Sequence, residues 1–409
     1  MSGSSSLAQA RALDAEDELA DYRGRFLPSG DEELTAYLDG NSLGRPPRAT
    51  LDRITEFVRQ EWGSRLIRGW SEGWLDLPER VGDRLGEVAV GAAAGQVVIG
   101  DSTTVCLYKL IRAAASARPE RREIVTDDGN FPTDRYVVEG IAEELGMVVR
   151  WLETDPLTGV TARQVSDALG PETAVVTLSH IDYRSAAIVD MGEITRVTHA
   201  AGALIVWDLC HSVGCLPVEL DELGADFAVG CTYKYLNAGP GAPAFMYARS
   251  DHHGLRQPVQ GWLGRHDPFE MGPGYEPAAG IRRFVSGTPP ILGLLGVSEG
   301  VELVAEAGID RIRSKAVALT ELAVTLTDEW LTPHGLRLAS PRDPALRGAH
   351  ITVTRPDAAR LVDRIIAAGV LVDHRSPDGI RLGLSPLTTG FEELWRAMDT
   401  IRQLAAEPL

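Results

Sequence analysis

Lysine is almost missing from this 409-residue chain: of 40 basic side chains only Lys109, Lys234 and Lys315 are lysine. Arginine stays protonated and cannot form an imine, so any amine nucleophile has to come from that short set. Cysteine is sparse as well. Cys106, Cys210, Cys215 and Cys231 form no Cys-x-x-Cys pair, and three of them lie in apolar runs where a free thiol behaves as a small hydrophobe. Reduced core cysteines are therefore expected, and no metal site. No stretch approaches the roughly 18 uninterrupted apolar residues of a membrane helix. The Ser-rich start, Met1 to Ala10, lacks the basic and apolar regions of a secretory signal, so a cytoplasmic protein is expected. Positive charge is also short: a net charge of -18 argues against nucleic acid or anionic membrane as partner, which leaves a small molecule. No Gly-x-Gly-x-x-Gly follows a strand-like run, which removes the signature of a nicotinamide dehydrogenase.

What is present is an ordinary globular composition, 44% apolar and 24% charged, in a chain too long for one simple core. An acidic helical lead and a Gly- and Asn-rich loop, Leu38 to Gly44, occupy residues 1–48. Then short β-rich runs alternate with helical patterns: Gln96–Ile99, Glu123–Thr126, Val148–Leu152, Ala174–Leu178, Ala203–Trp207, Phe227–Gly230 and Ala244–Tyr247. Near-continuous apolar strands separated by helices predict an α/β fold with a mostly parallel, seven-stranded sheet covered on both faces, over residues 49–290. Beyond, over residues 291–409, a long amphipathic stretch (Ile291–Trp330) leads into a strand (His350–Thr354), a helix (Ala358–Ala368), two short strands (Val370–His374, Ile380–Leu384) and a closing helix (Phe391–Leu404). That is a smaller α+β unit, against which the 1–48 segment is expected to pack.

In open parallel sheets ligands bind outside the carboxyl ends of the strands. Asp208 ends the run Ala203–Trp207, with His211 three residues on, and Lys234 follows the next strand in Cys231-Thr232-Tyr233-Lys234-Tyr235-Leu236-Asn237. An amine and a carboxylate converging on one cleft are what a pyridoxal site needs: the amine forms an imine with the cofactor, and the carboxylate keeps the pyridine nitrogen protonated. Taken alone, Asp208 is as readily a turn or helix-cap residue. The other two lysines sit in an amphipathic helix (Lys109) and a charged stretch (Lys315), where a solvated helix face is the plain reading. Val97 to Thr104 reads as strand, turn and hydroxyl-rich helix start, which suits an anion or simply an N-cap. Phe131, in the loop Asp127 to Arg135, could stack on a ring or plug the core. Arg381 lies among apolar residues of a small-unit strand, where a clamp on a substrate carboxylate and a structural salt bridge are equal alternatives.

Taken together these segments resemble kynureninase, a fold-type I pyridoxal-phosphate family of the aspartate-aminotransferase superfamily. The matching motifs run in order from Asp39-Gly40-Asn41-Ser42-Leu43-Gly44 through Asn130-Phe131-Pro132-Thr133-Asp134, Trp207 to Gly214 and Tyr233-Lys234-Tyr235-Leu236-Asn237 to Gly261-Trp262-Leu263-Gly264 and Ser286 to Leu292. The resemblance implies that pyridoxal 5'-phosphate sits on Lys234 with Thr103 and Thr104 at its phosphate, Phe131 stacked on the ring, Asp134, Ser179, Asp208 and His211 around it, and Tyr233 reaching the phosphate. It implies Trp262 and Thr288 as contacts from the partner subunit, and hence a homodimer with the active site at the interface. Arg381 would hold the substrate α-carboxylate, and Trp70 would line the pocket for its aromatic ring.

The activity implied is hydrolysis of L-kynurenine, or 3-hydroxy-L-kynurenine, to anthranilate, or its 3-hydroxy form, and L-alanine, in tryptophan degradation or a branch toward NAD. Lys234 would move the Cα proton, Asp208 would hold the pyridinium, and Tyr233 is the candidate acid for the later steps. An aminotransferase or another fold-type I lyase is the alternative. A cysteine desulfurase needs a cysteine on a late active-site loop, and none follows Cys231.

Overall fold

The computed structural model of the chain describes residues 6–407, so the first half of the Ser-rich start lies outside the described residues and the second half opens the helix Leu7–Glu16. After a two-residue strand β1 (Ala36–Tyr37) come β2 (Val97–Ile99), β3 (Glu123–Asp127), β4 (Val148–Leu152), β5 (Thr173–Ser179), β6 (Leu204–Asp208), β7 (Phe227–Gly230) and β8 (Phe245–Ala248). Strands β2 to β8 are the seven apolar runs, and they form one sheet in the order β2-β8-β7-β6-β5-β3-β4. Pairs among β3 to β7 are parallel, and β8 alone runs antiparallel to both its neighbours. Both faces are covered, so almost every residue of β2, β3, β5, β6, β7 and β8 is buried, and only edge strand β4 shows exposed residues. Helices return the chain with ordinary end signals: Thr161 and Gln164 make a capping box, and Pro132 opens a helix that Gly146 closes in a left-handed conformation, φ 63°.

A second sheet, β12-β13-β10-β9, is antiparallel throughout and comprises β9 (Arg337–Leu338), β10 (His350–Thr354), β12 (Asp373–Arg375) and β13 (Gly379–Gly383). The segment expected to be one strand, Val370 to His374, is instead two. Its first half, β11 (Val370–Leu371), pairs in parallel with β1, and its second half joins β13. The stretch from Ile291 to Trp330 is also divided, at Gly308, whose φ of 81° ends the helix Ile291–Ala307 before Ile309–Leu326 begins. Ile351, Leu361, Ile380 and Leu394 belong to an apolar cluster around the second sheet, and Ile205, Trp207 and Ala228 of the large sheet to another, which also takes in Leu294 of the helix Ile291–Ala307.

Two lysines correct the expectation of solvated helix faces. Lys109 is fully buried and bonds Asp101 and the Phe284 carbonyl, and Lys315 is buried against Asp17 at 2.7 Å. Helical periodicity does not distinguish a cation stretched to water from one paired inside the protein. The four cysteines are all buried and free.

The strands that carry the site are tied together at their amino ends by Asp226. Its buried carboxylate accepts from the Ile205 N–H (2.9 Å), from His199 (2.8 Å) and His252 (2.7 Å) ring nitrogens, and from Arg249 (3.0 Å). Burial alone would raise its pKa, but these donors hold it far below the ordinary carboxylate range. A depressed folded pKa gives stability that is complete above the unfolded value, about 3.9, and is lost as pH falls through and below it. Asp226→Asn, which strands these donors, is expected to lower stability at pH 7 by about 3 kcal/mol, with the gap to the parent narrowing below about pH 4. Urea unfolding followed from pH 7 to pH 3 measures it; a gap independent of pH contradicts the assignment.

Candidate active site

Register places the carboxyl ends of the strands side by side: Ser179 ends β5 opposite Asp208 at the end of β6, and Asp208 in turn faces Val229 of β7. From this edge the chain descends into a cavity of about 220 Å³ lined by Thr103, Thr104, Phe131, Asp134, Ser179, Asp208, His211, Tyr233, Lys234 and Arg381. Ten of the residues singled out in the sequence thus share one space.

The lysine loop is held from below. The Gly44 N–H donates to the Tyr233 carbonyl at 2.8 Å, and a Cβ on Gly44 would collide with the Lys234 carbonyl and Asn237, so only glycine permits the segment Asp39–Gly44 to lie this close. Asn237 adopts a left-handed φ of 55° and returns its N–H to the Lys234 carbonyl at 3.0 Å. Lys234 Nζ then stands 3.0 Å from His211 Nε2. Burial, followed by the neighbouring Lys234, holds His211 well below its ordinary pKa, so the imidazole is neutral and offers Nε2 to the amine as an acceptor. Burial pushes the Tyr233 phenol well above its ordinary value, which keeps its proton available as an acid.

Asp208 is anchored by the Cys210 N–H at 2.6 Å. Asp134, in the first turn of the helix Pro132–Leu145, is pushed far upward by burial and then by the adjacent Asp208 charge, so it carries a proton beside Asp208. Ser179 donates to Asn130 Oδ1 at 2.7 Å, and Phe131 meets Tyr183 edge-on at 5.2 Å. Ser102 caps the helix Thr103–Ser116, whose first-turn residues Thr103 and Thr104 also line a second cavity of about 500 Å³ with Tyr233 and Val285–Pro290.

Arg381, buried in β13, donates to the Tyr183 carbonyl (2.7 Å), Ser42 Oγ (2.6 Å) and Asp373 (2.7 Å). It is ion-paired within the protein, as one of the alternatives left open by the sequence has it, and it also lines the cavity. Sequence reasoning passed over Arg375 and Tyr183, which line the same space with the Arg375 guanidinium 5.7 Å over the Tyr183 ring. It gave no role to Asn41 and Ser42, although both lie inside the loop motif it singled out. His350 was also missed; it lies fully buried 5.4 Å from the His211 ring. Three expected residues are elsewhere in this chain. Trp70 packs edge-on against Trp74 and lines a separate apolar cavity of about 580 Å³. Trp262 is half-exposed against Phe269, and Thr288 lines the second cavity only.

Two buried polar atoms of residues that line the cavity, Asp134 Oδ2 and His211 Nδ1, have no hydrogen-bond partner among the described residues. Buried polar groups are rarely left so without a ligand or water to meet them. With a single amine, a carboxylate and a helix start rich in hydroxyls around them, these atoms fit a flat, polar, phosphate-bearing ring.

Residues 312–401 match the kynureninase C-terminal domain family. Across 402 residues the chain is 42% identical to kynureninase of Pseudomonas fluorescens, covering 96% of this chain and 94% of the relative. The chain belongs to the kynureninase family. Kynureninase of Burkholderia pseudomallei (strain 1106a) is similar at 41% identity over 404 residues, 97% of this chain and 94% of the relative. Among solved structures the fold resembles the apo cysteine desulfurase of Thermococcus onnurineus NA1, with a TM-score of 0.79 at 18% identity over 90% of this chain and 94% of that one. It also resembles a C-DES variant solved with glycine covalently linked to the PLP cofactor, with a TM-score of 0.81 at 19% identity over 94% and 99% of the two chains. A kynureninase family member thus shares its fold with enzymes of sulfur chemistry, and the side chains around Lys234 have to account for the difference.

Proposed function

We propose that this protein hydrolyses L-kynurenine to anthranilate and L-alanine with pyridoxal 5'-phosphate held on Lys234. The observation that carries the reading is one cavity holding the chain's single cavity-lining amine, Lys234, together with Asp208 and Arg381, in a member of the kynureninase family. Thr103 and Thr104 would meet the phosphate at the helix start, with Tyr233 beside them. Phe131 would stack on the ring, and Asp134, Ser179, Asp208 and His211 would surround it. When bound, the cofactor supplies an electron sink, which its ring nitrogen provides only while a carboxylate holds it protonated.

The chain's own residues do the rest. Lys234 would take the Cα proton of the bound substrate, and neutral His211 accepts a hydrogen bond from its amine. Arg381, oriented by Asp373, Ser42 and the Tyr183 carbonyl, holds the substrate α-carboxylate. Tyr233, protonated through the neutral range, is the acid for the leaving carbon. Trp70 would line the ring pocket, and Trp262 and Thr288 would be supplied by the partner subunit of a homodimer. The exposed Trp62, Leu66 and Ile67 beside Pro289 and Pro290 support such a dimer face. We further propose three parts for the chain: the segment 1–48, the cofactor-binding domain 49–290 and the C-terminal unit 291–409, in a cytoplasmic enzyme.

The second reading, an aminotransferase, is separated by one assay. With L-kynurenine and no keto acid, the loaded enzyme is expected to release anthranilate over many turnovers, read by its fluorescence. No anthranilate, with the cofactor converted to its amine form and turnover only when a keto acid is added, would replace hydrolysis by transamination, which leaves the Cβ–Cγ bond intact. The structural likeness to cysteine desulfurases does not extend to their nucleophile, since no cysteine follows Cys231.

A further inference from the structure

Lys109 lies six residues into the helix Thr103–Ser116, fully buried, where nothing in the proposed reaction uses it. Its amine has two acceptors: Asp101 Oδ2 at 2.5 Å and the Phe284 carbonyl at 2.7 Å. Asp101 is the turn residue between β2 and the helix, held at a left-handed φ of 52°, and its backbone is fixed by the Ala244 N–H at 3.0 Å. It lines the 500 Å³ cavity together with Thr103, Thr104 and Thr288. Phe284 ends the turn Gly280–Phe284 and delivers the chain into Val285–Pro290, the opposite wall of that cavity. Among the described residues no lysine or arginine lines this cavity, and Asp101 is the one carboxylate that does.

A carboxylate beside the seat of a phosphate repels it, more strongly than in water because the walls are of low dielectric. The Lys109 amine removes that repulsion without entering the seat, and by bridging Asp101 and Phe284 it joins the two walls. We infer that Lys109 is a positioning residue for the cofactor phosphate: it offsets the Asp101 carboxylate and fixes the turn Asp101–Thr104 against Val285–Pro290. This rests on the proposed pyridoxal phosphate site, and it assigns to a buried helix lysine the electrostatic part of a cradle that otherwise consists of hydroxyls and backbone amides.

Dissociation constants of pyridoxal phosphate and of pyridoxal, which lacks the phosphate, measured on the apoenzyme by equilibrium dialysis, test it. Lys109→Met is expected to weaken pyridoxal phosphate by about tenfold to a hundredfold, the scale of a buried charge left without its partner, and pyridoxal by no more than about twofold. Adding Asp101→Asn to Lys109→Met removes the uncompensated carboxylate and is expected to restore phosphate affinity to within about threefold of the parent. The ³¹P resonance of the bound cofactor should shift in Lys109→Met and return in the double variant. Equal weakening of both ligands, or no rescue by Asp101→Asn, contradicts the inference and leaves Lys109 a purely structural residue. If Lys109→Met does not fold, the double variant and Asp101→Asn alone carry the test: the double variant should bind pyridoxal phosphate about as well as the parent, and Asp101→Asn, which loses the repelling carboxylate and keeps the cation, at least as well; clear weakening in Asp101→Asn overturns it. A parent protein that binds no pyridoxal phosphate would instead refute the proposed site.

Discussion

Lys234→Ala is expected to lower turnover of L-kynurenine by about four orders of magnitude or more, the scale seen when a covalent nucleophile that also transfers protons is removed. The physical reason is the absence of a substitute. Lys109 is locked between Asp101 and the Phe284 carbonyl, and Lys315 is paired with Asp17, so neither amine reaches the cavity. The loss should fall on kcat and leave the fold intact, because the Lys234 amine has one polar neighbour, His211, and its backbone carbonyl still receives the Asn237 N–H. Steady-state anthranilate release, with far-UV circular dichroism as control, measures it. A variant within tenfold of the parent would move the chemistry away from Lys234.

Asp208→Asn is expected to lower kcat by about a thousandfold, less than loss of the lysine but more than any single packing change near the site. Asparagine retains the oxygen that accepts from the Cys210 N–H, so the loop after β6 should keep its shape. What it lacks is the negative charge that would hold a ring nitrogen protonated. Asp134 does not replace it: the Asp208 charge is gone in this variant, but burial, the larger cause, still pushes the Asp134 carboxyl upward. The cofactor should still bind, so the kinetic loss at saturating pyridoxal phosphate isolates the electrostatic role; a kcat within a few-fold of the parent would remove Asp208 from it.

The large sheet was legible because burial on both faces of a parallel sheet writes itself as uninterrupted Val, Ile and Ala runs, and each of the seven became a strand. The site was legible at its centre for a related reason: Asp208 and Lys234 follow successive strands of that sheet, so sequence spacing alone brings them to one edge. The far wall was not. Arg375 reaches the cavity, and His350 the His211 ring, through the packing of the second sheet against the first, a relation between residues that are distant in sequence, whereas Tyr183 lies in a loop four residues past the end of β5. The division of Val370–His374 was hidden likewise, since one half pairs with β1, more than 300 residues earlier. Gly308 was a readable break that helical periodicity on either side outweighed. Lys109 and Lys315 escaped because their partners, a turn residue and the N-terminal Asp17, leave no mark on the helix pattern.

Borohydride reduction of the cofactor-loaded protein, followed by digestion and mass spectrometry, tests the central claim most directly. With three lysines in the chain the outcome is unambiguous. The account predicts one pyridoxyl group per chain, on the peptide that contains Lys234; a label on Lys109 or Lys315, or a protein that takes up no label, would contradict it.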